Sequence, residues 1–133
     1  MRINRSKYNV DNSRLGKLKR TYKGILFDSQ LECRFYTSYI IPNLKTGKIK
    51  SVRRQVHYEL LPSFVYQNKK QRKIEYISDF DILYEDKSFV VVDVKGMIKP
   101  IDKIKAKLFK YRYPDIEFKF IKYSKKDGWY SQE

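Results

Sequence analysis

Residues 89–96 read FVVVDVKG, a strongly apolar strand that ends in an acid and a lysine two positions apart. No other stretch restricts the fold as much, because a strand alternates its side chains. Val90, Val92 and Val94 must fill one face while Asp93 and Lys95 share the other. Such a strand end is either a solvated salt bridge or a site.

The flanking sequence alternates helical and extended patterns. Leu31, Phe35 and Tyr39 recur at four-residue spacing from Ser29 onward, flanked by Cys33, Tyr36 and Ile40. Pro42 forbids continuation, so one amphipathic helix is predicted to end near Ile41. After the glycine turn of LKTGKIK, the stretch KIKSVRRQVHYELL reads as a strand with Val52, Val56, Tyr58 and Leu60 on one side, interrupted by Arg54. A basic loop, NKKQRK at 68–73, leads into a second strand, IEYISDFDILY, and FVVVDVK follows as the third. Pro100 occupies the first turn of a second helix, with Ile101, Ile104, Leu108 and Tyr111 on one face and Lys103, Lys107 and Lys110 on another. IEFKFIKY alternates as a fourth strand. The predicted order is α-β-β-β-α-β, an α/β domain built on a small mixed sheet flanked by helices. This domain is expected over 22–123, between a flexible basic arm at 1–21 and a polar tail at 124–133.

A chain of 133 residues is long enough for one domain with a real core. Its 30 Lys and Arg against 15 Asp and Glu give a formal charge of +15, which favours a polyanionic partner. The basic residues are spread over strands, loops and helix instead of along one amphipathic helix, so nucleic acid is expected over a membrane surface. No apolar run approaches the length of a membrane span, and the first residues do not read as a secretory signal; a cytoplasmic location follows. The one cysteine, Cys33, excludes an internal disulfide and any multi-cysteine zinc cluster, and its helical apolar surroundings predict a buried core thiol.

A second pair of acids, Asp79 and Asp81, shares a face of the preceding strand. If that strand and FVVVDVK form a hairpin, loop length decides whether the acidic faces coincide, because a one-residue shift turns every side chain over. A three-residue loop, EDK or DKS, brings Asp79 to the face of Asp93 and Lys95, whereas a two-residue Asp-Lys turn separates them. Asp-Lys lacks the chemistry that a primed turn prefers, which favours convergence. Converging carboxylates repel one another unless a cation sits between them, and oxygen-only ligands suit Mg²⁺ or Mn²⁺. The alternative at this point is a plain salt bridge among Asp79, Asp93 and Lys95.

YISDFDILYEDKSFVVVDVKG resembles the core motif of the PD-(D/E)XK nucleases, an aspartate on one hairpin strand followed by acid-x-Lys on the next. FDSQLECRFY is similar to the helix that supplies a glutamate in that superfamily, and with the YRYPDIEF segment the combination is closest to phage endonuclease I-type Holliday-junction resolvases. Transposon-end-cleaving endonuclease subunits share much of it. The resemblance spans roughly Tyr22 to Tyr123 and implies a restriction-endonuclease-like core. It implies metal ligation by Glu32, Asp79, Asp93 and the carbonyl of Val94, with Lys95 as the catalytic lysine. Gln55 and Asp81 are auxiliary candidates. The departures are Ser78 where proline often stands, Asp93 where the longer glutamate is usual, and Asp81, which has no usual counterpart in the resolvases. Ser29-x-x-Glu32 is also a capping box, a purely structural reading of the same glutamate.

The expected function is therefore Mg²⁺- or Mn²⁺-dependent DNA hydrolysis, on branched or four-way-junction DNA and as a homodimer, in a prokaryotic or phage-infected cell. Two alternatives stand beside it: a sequence- or end-directed nuclease of recombination or transposition, and a basic DNA-binding domain without catalysis. Phosphate contacts are expected from Arg53, Arg54, Lys69, Lys70, Arg72, Lys73, Lys103, Lys107 and Lys110. His57, the sole histidine, is expected to be a surface residue.

Overall fold

A turn at Thr46–Lys48, with Gly47 at φ +84°, separates two units of the chain in the computed structural model, which describes residues 10–132. The first unit runs to Lys48 and the second begins at Ile49.

In the first unit, helix α1 (Arg14–Lys19) forms inside the stretch expected to be a flexible arm, of which residues 1–9 lie outside the described residues. Capping explains the helix where periodicity does not. The Ser13 hydroxyl accepts from the Gly16 amide at 3.1 Å, and the Asp11 carboxylate accepts from the Ser13 amide at 2.8 Å. Gly16 is required by close approach, since a Cβ there would lie 2.5 Å from the main-chain oxygen of Asp11. Strands β1 (Thr21–Tyr22) and β2 (Ile25–Leu26) then form a tight hairpin, with Lys23 and Gly24 both at positive φ.

Helix α2 (Gln30–Phe35) continues through a π-helical turn at Tyr36–Ile40 into α3 (Ile41–Lys45), past the stop predicted at Pro42. The wider turn, closed by the Ile41 amide on the Tyr36 carbonyl, restarts the helix so that Pro42 falls in a first turn. A missing N–H costs nothing there. Cys33 is buried as expected, and burial pushes its thiol pKa up.

The second unit contains strands β3 (Ile49–Arg54), β4 (His57–Leu61), β5 (Phe64–Tyr66), β6 (Lys69–Gln71), β7 (Ile74–Ile77), β8 (Phe80–Tyr84) and β9 (Phe89–Val94), helix α4 (Pro100–Arg112), and strands β10 (Glu117–Ser124) and β11 (Gly128–Gln132). Five of them form a mixed sheet in the order β11-β10-β9-β8-β3, in which only the β9–β10 pair is parallel. The parallel pair is joined by α4, a βαβ crossover. The α/β class and the small mixed sheet read from the sequence are thus present.

Each of the first two predicted strands is broken once. Gln55 at φ +52° divides β3 from β4, and Ser78–Asp79 divides β7 from β8. The two breaks lie opposite one another and are tied together, because the Ser78 amide donates to the Val56 carbonyl at 2.9 Å while the buried Ser78 hydroxyl accepts from the Val56 amide at 3.2 Å. The register is Arg54↔Phe80 before the break and His57↔Ile77 after it, so the ribbon bends without slipping. The bend carries Leu60 and Tyr76 into the core cluster with Val91, Ala106, Phe109, Phe118 and Phe120.

Two further expectations are corrected. Residues 124–133 have the sequence of a polar tail, yet Gly128–Gln132 forms the edge strand β11, held by a turn with Gly128 at φ +69° and by the Trp129 ring, tilted against Tyr123 at 4.9 Å between centroids. On α4 the buried residues are Ala106 and Phe109, whereas Ile101, Ile104 and Tyr111 are exposed. No helix among the described residues is long and apolar enough to cross a membrane.

Candidate functional site

The β8–β9 loop settles the parity question. Glu85, Asp86 and Lys87 form a three-residue connection closed by the Tyr84 amide on the Ser88 carbonyl at 2.9 Å, with Lys87 at φ +72°. The Asp86 carboxylate accepts from the Ser88 amide at 2.9 Å and fixes the turn. The register that follows pairs Asp81 with Val91 and Phe80 with Val92. One step further sets Asp79 across from Asp93. Its amide donates to the Val92 carbonyl at 3.2 Å, and its carboxylate accepts from the Val94 amide at 2.7 Å.

Asp93 is buried and lies beside Phe120 in the parallel ladder, on the side of the sheet that also presents Val91 to α4. Lys95 follows on the same face, its amide tied to the Ile121 carbonyl at 2.9 Å. Its ammonium stands 3.6 Å from Asp93 and 3.6 Å from Asp102. Reading for nuclease motifs passes over Asp102, although an acid three residues into a helix is a capping signal. One of its oxygens accepts from the Lys99 amide at 2.8 Å to cap α4, and the other faces Lys95. Burial pulls Lys95 toward neutrality, but Asp93, Asp102 and Asp79 outweigh it and raise the pKa above that of an ordinary lysine. Lys95 is a cation at neutral pH, so it can stabilise anionic charge but cannot serve as a base.

Two tyrosines complete the cluster. Tyr58 donates a short hydrogen bond to one oxygen of Asp81, and burial together with that carboxylate raises the Tyr58 pKa, so the phenol stays protonated. The other Asp81 oxygen, Oδ1, is buried without a hydrogen-bond partner. The Tyr76 hydroxyl is likewise buried and faces Asp93, short of a well-formed hydrogen bond. Burial and then the charges of Asp93, Asp79 and Asp81 drive its pKa far upward, which places it beside the carboxylates as a neutral group.

The other predicted residues fall as follows. Glu32, in the first unit, takes part in capping α2: its amide donates to the Ser29 hydroxyl at 3.1 Å, and its carboxylate accepts from the Asp28 amide at 3.0 Å, one residue before the N-cap amide that a capping box would use. One of its oxygens therefore has a structural task. Gln55 sits at the strand break with its side chain exposed. His57 is a surface residue, 3.1 Å from Glu75, which also binds Lys73 at 2.8 Å. Arg53, Lys69, Lys70, Arg72, Lys73, Lys103, Lys107 and Lys110 are exposed and Arg54 is half-buried. Among the described residues no three His, Cys, Asp or Glu side chains are gathered closely enough to hold a metal ion between them. Asp79 and Asp93 are a donor set of two, all oxygen, and that suits Mg²⁺, which keeps several waters and binds through one or two carboxylates.

No curated protein matches the chain. The family described as "Protein of unknown function (DUF1064)" matches residues 5–128, and the chain belongs to that family.

Proposed function

We propose that this chain is a metal-dependent DNA endonuclease, acting in the cytoplasm as a homodimer on branched or four-way-junction DNA. The observation that carries this reading is the three-residue β8–β9 loop, which puts Asp79, Asp93 and Lys95 on one face at one end of the hairpin. Asp79, Asp93 and Lys95 are the hairpin part of the constellation that the resemblance to the PD-(D/E)XK nucleases implies. The formal charge of +15 supports a polyanionic substrate.

Asp79 and Asp93 would hold Mg²⁺ or Mn²⁺ together with solvent. Such an ion, when bound, polarises a phosphoryl oxygen and lowers the pKa of bound water. Hydrolysis adds water across one P–O bond and leaves a phosphomonoester and a hydroxyl. Lys95, held cationic by Asp93 and Asp102, neutralises charge that develops on the phosphate. Asp102 orients that ammonium from the cap of α4. Tyr58, on β4, restrains Asp81, on β8, as a protonated donor.

A second reading, a basic DNA-binding domain without catalysis, draws on the same distances: Lys95 between two carboxylates is also a plain ion-pair cluster. A sequence- or end-directed nuclease is the third. One experiment separates them. Labelled four-way junction and matched linear duplex are incubated with the protein in Mg²⁺, in Mn²⁺ and in chelator. Cutting of the junction above the duplex, with none in chelator, is the expected result. Equal cutting of both substrates would remove the junction preference, and no cutting in either metal would leave the binding domain as the better account.

A further inference from the structure

Strands β5 and β6 form the far end of the ribbon that begins at β3. Every residue from Leu61 to Lys70 is exposed. The two-residue turn Gln67–Asn68 has both φ angles positive, at 46° and 65°, which matches the twist of the flanking strands and makes the tip stiff. Lys69–Gln71 is therefore strand, where the sequence suggests a loop.

The composition of this tip is unusual for a surface. Phe64, Val65 and Tyr66 are 45%, 70% and 61% exposed. Across from them the ladder sets Gln71, Lys70 and Lys69. Alternation puts Tyr66 with Lys69 on one face and Val65 with Lys70 on the other, so each face carries an apolar group next to a cation. From Leu60 to Ile74 there are four basic residues and no acid.

That pattern selects its partner by charge. A second copy of the ribbon would bring like charges together, with no acid in either tip to offset them. A bilayer would have to take in the polar Gln67–Asn68 turn ahead of the apolar residues behind it. A two-stranded ribbon fits the width of the DNA major groove, where lysines reach phosphates and apolar side chains touch base edges. We infer that the β5–β6 tip is a finger that enters a groove of duplex DNA, with Lys69, Lys70 and Arg72 on phosphates and Phe64, Val65 and Tyr66 against the bases. The inference shares with the proposed function its nucleic-acid partner, and it is independent of any hydrolysis.

The test is binding of the full chain to linear duplex in chelator, so that a failure of the nuclease reading leaves it intact. Lys69→Ala/Lys70→Ala should weaken binding and lower the slope of log K against log salt by about 0.9 for each phosphate no longer neutralised. Val65→Ala/Tyr66→Ala should weaken binding on the order of tenfold with the slope unchanged, as expected for base contacts. All four positions are exposed, so circular dichroism should match the parent. Unchanged duplex affinity in both variants overturns the inference. So does loss of binding to phosphatidylserine–phosphatidylcholine vesicles with duplex binding intact, which would assign the tip to membranes. A change from dimer to monomer at unchanged duplex affinity would assign it to a second copy instead.

Discussion

Asp93→Asn is expected to abolish Mg²⁺-dependent cleavage while leaving DNA binding at least as tight as in the parent. The substitution keeps size and shape and removes one negative charge from a buried position flanked by Phe120 and Lys95. Loss of a positioned electrostatic group of this kind lowers kcat by about 10²–10³-fold or more. Binding moves the other way, because the chain already carries +15 and the lost carboxylate no longer repels the phosphate. Lys95 keeps Asp102 at 3.6 Å, so the ammonium is not stranded. The measurement pairs a single-turnover cleavage assay with a binding isotherm at low salt, and a thermal melt checks folding. Undiminished cutting by a folded Asp93→Asn protein rules out the site. Asp102→Asn provides the contrast: Lys95 retains Asp93, so a smaller loss is expected, read as lowered kcat with little change in binding.

The parts of the site that are legible in the sequence are those set by parity. Counting three residues between Tyr84 and Ser88 is enough to bring Asp79 to the face of Asp93, because register depends on loop length alone once a hairpin forms. Alternation likewise assigns Val90, Val92 and Val94 to a buried face. The ribbon bend is not legible. It depends on Gln55 adopting positive φ, which glutamine seldom signals, and on a Ser78 side chain bonding a main-chain amide 22 residues earlier. Without the bend, Tyr58 and Tyr76 remain strand residues among twelve tyrosines; with it, both reach the carboxylates. The edge strand β11 does have a signal, the Asp127–Gly128 pair, but its polar surroundings mask it. Glu32 shows the opposite limit. The same four residues, Ser29 to Glu32, describe a helix cap and an active-site helix, and no count of spacing separates them.

Phe109→Ala is expected to destabilise the second unit by about 3–5 kcal/mol, the usual cost of emptying a fully buried phenylalanine site. Phe109 is 0% exposed, and its ring lies 5.0 Å from Tyr58, 5.7 Å from Tyr76, 5.1 Å from Tyr113 and 5.5 Å from Phe118. Few side chains can move in to fill the space, since Tyr113 is anchored by its hydroxyl on the Glu59 carbonyl at 2.9 Å. A loss of that size corresponds to a fall in Tm on the order of 10 °C or more. Tyr111, which helical periodicity alone would have placed in the core, is 85% exposed, so Tyr111→Ala should change stability by no more than about 0.5 kcal/mol. The pair tests which face of α4 meets the sheet, and denaturant unfolding of both variants reads it directly. If Tyr111→Ala proved the more damaging, Ile101, Ile104 and Leu108 would form the packed face and the ring cluster around Phe109 would not. The order matters for the site as well, because Tyr58 and Tyr76 rest on Phe109 while their hydroxyls face Asp81 and Asp93. Cleavage by Phe109→Ala, measured below its melting range, should therefore fall further than its folded fraction does, since the void loosens the tyrosines behind the carboxylates.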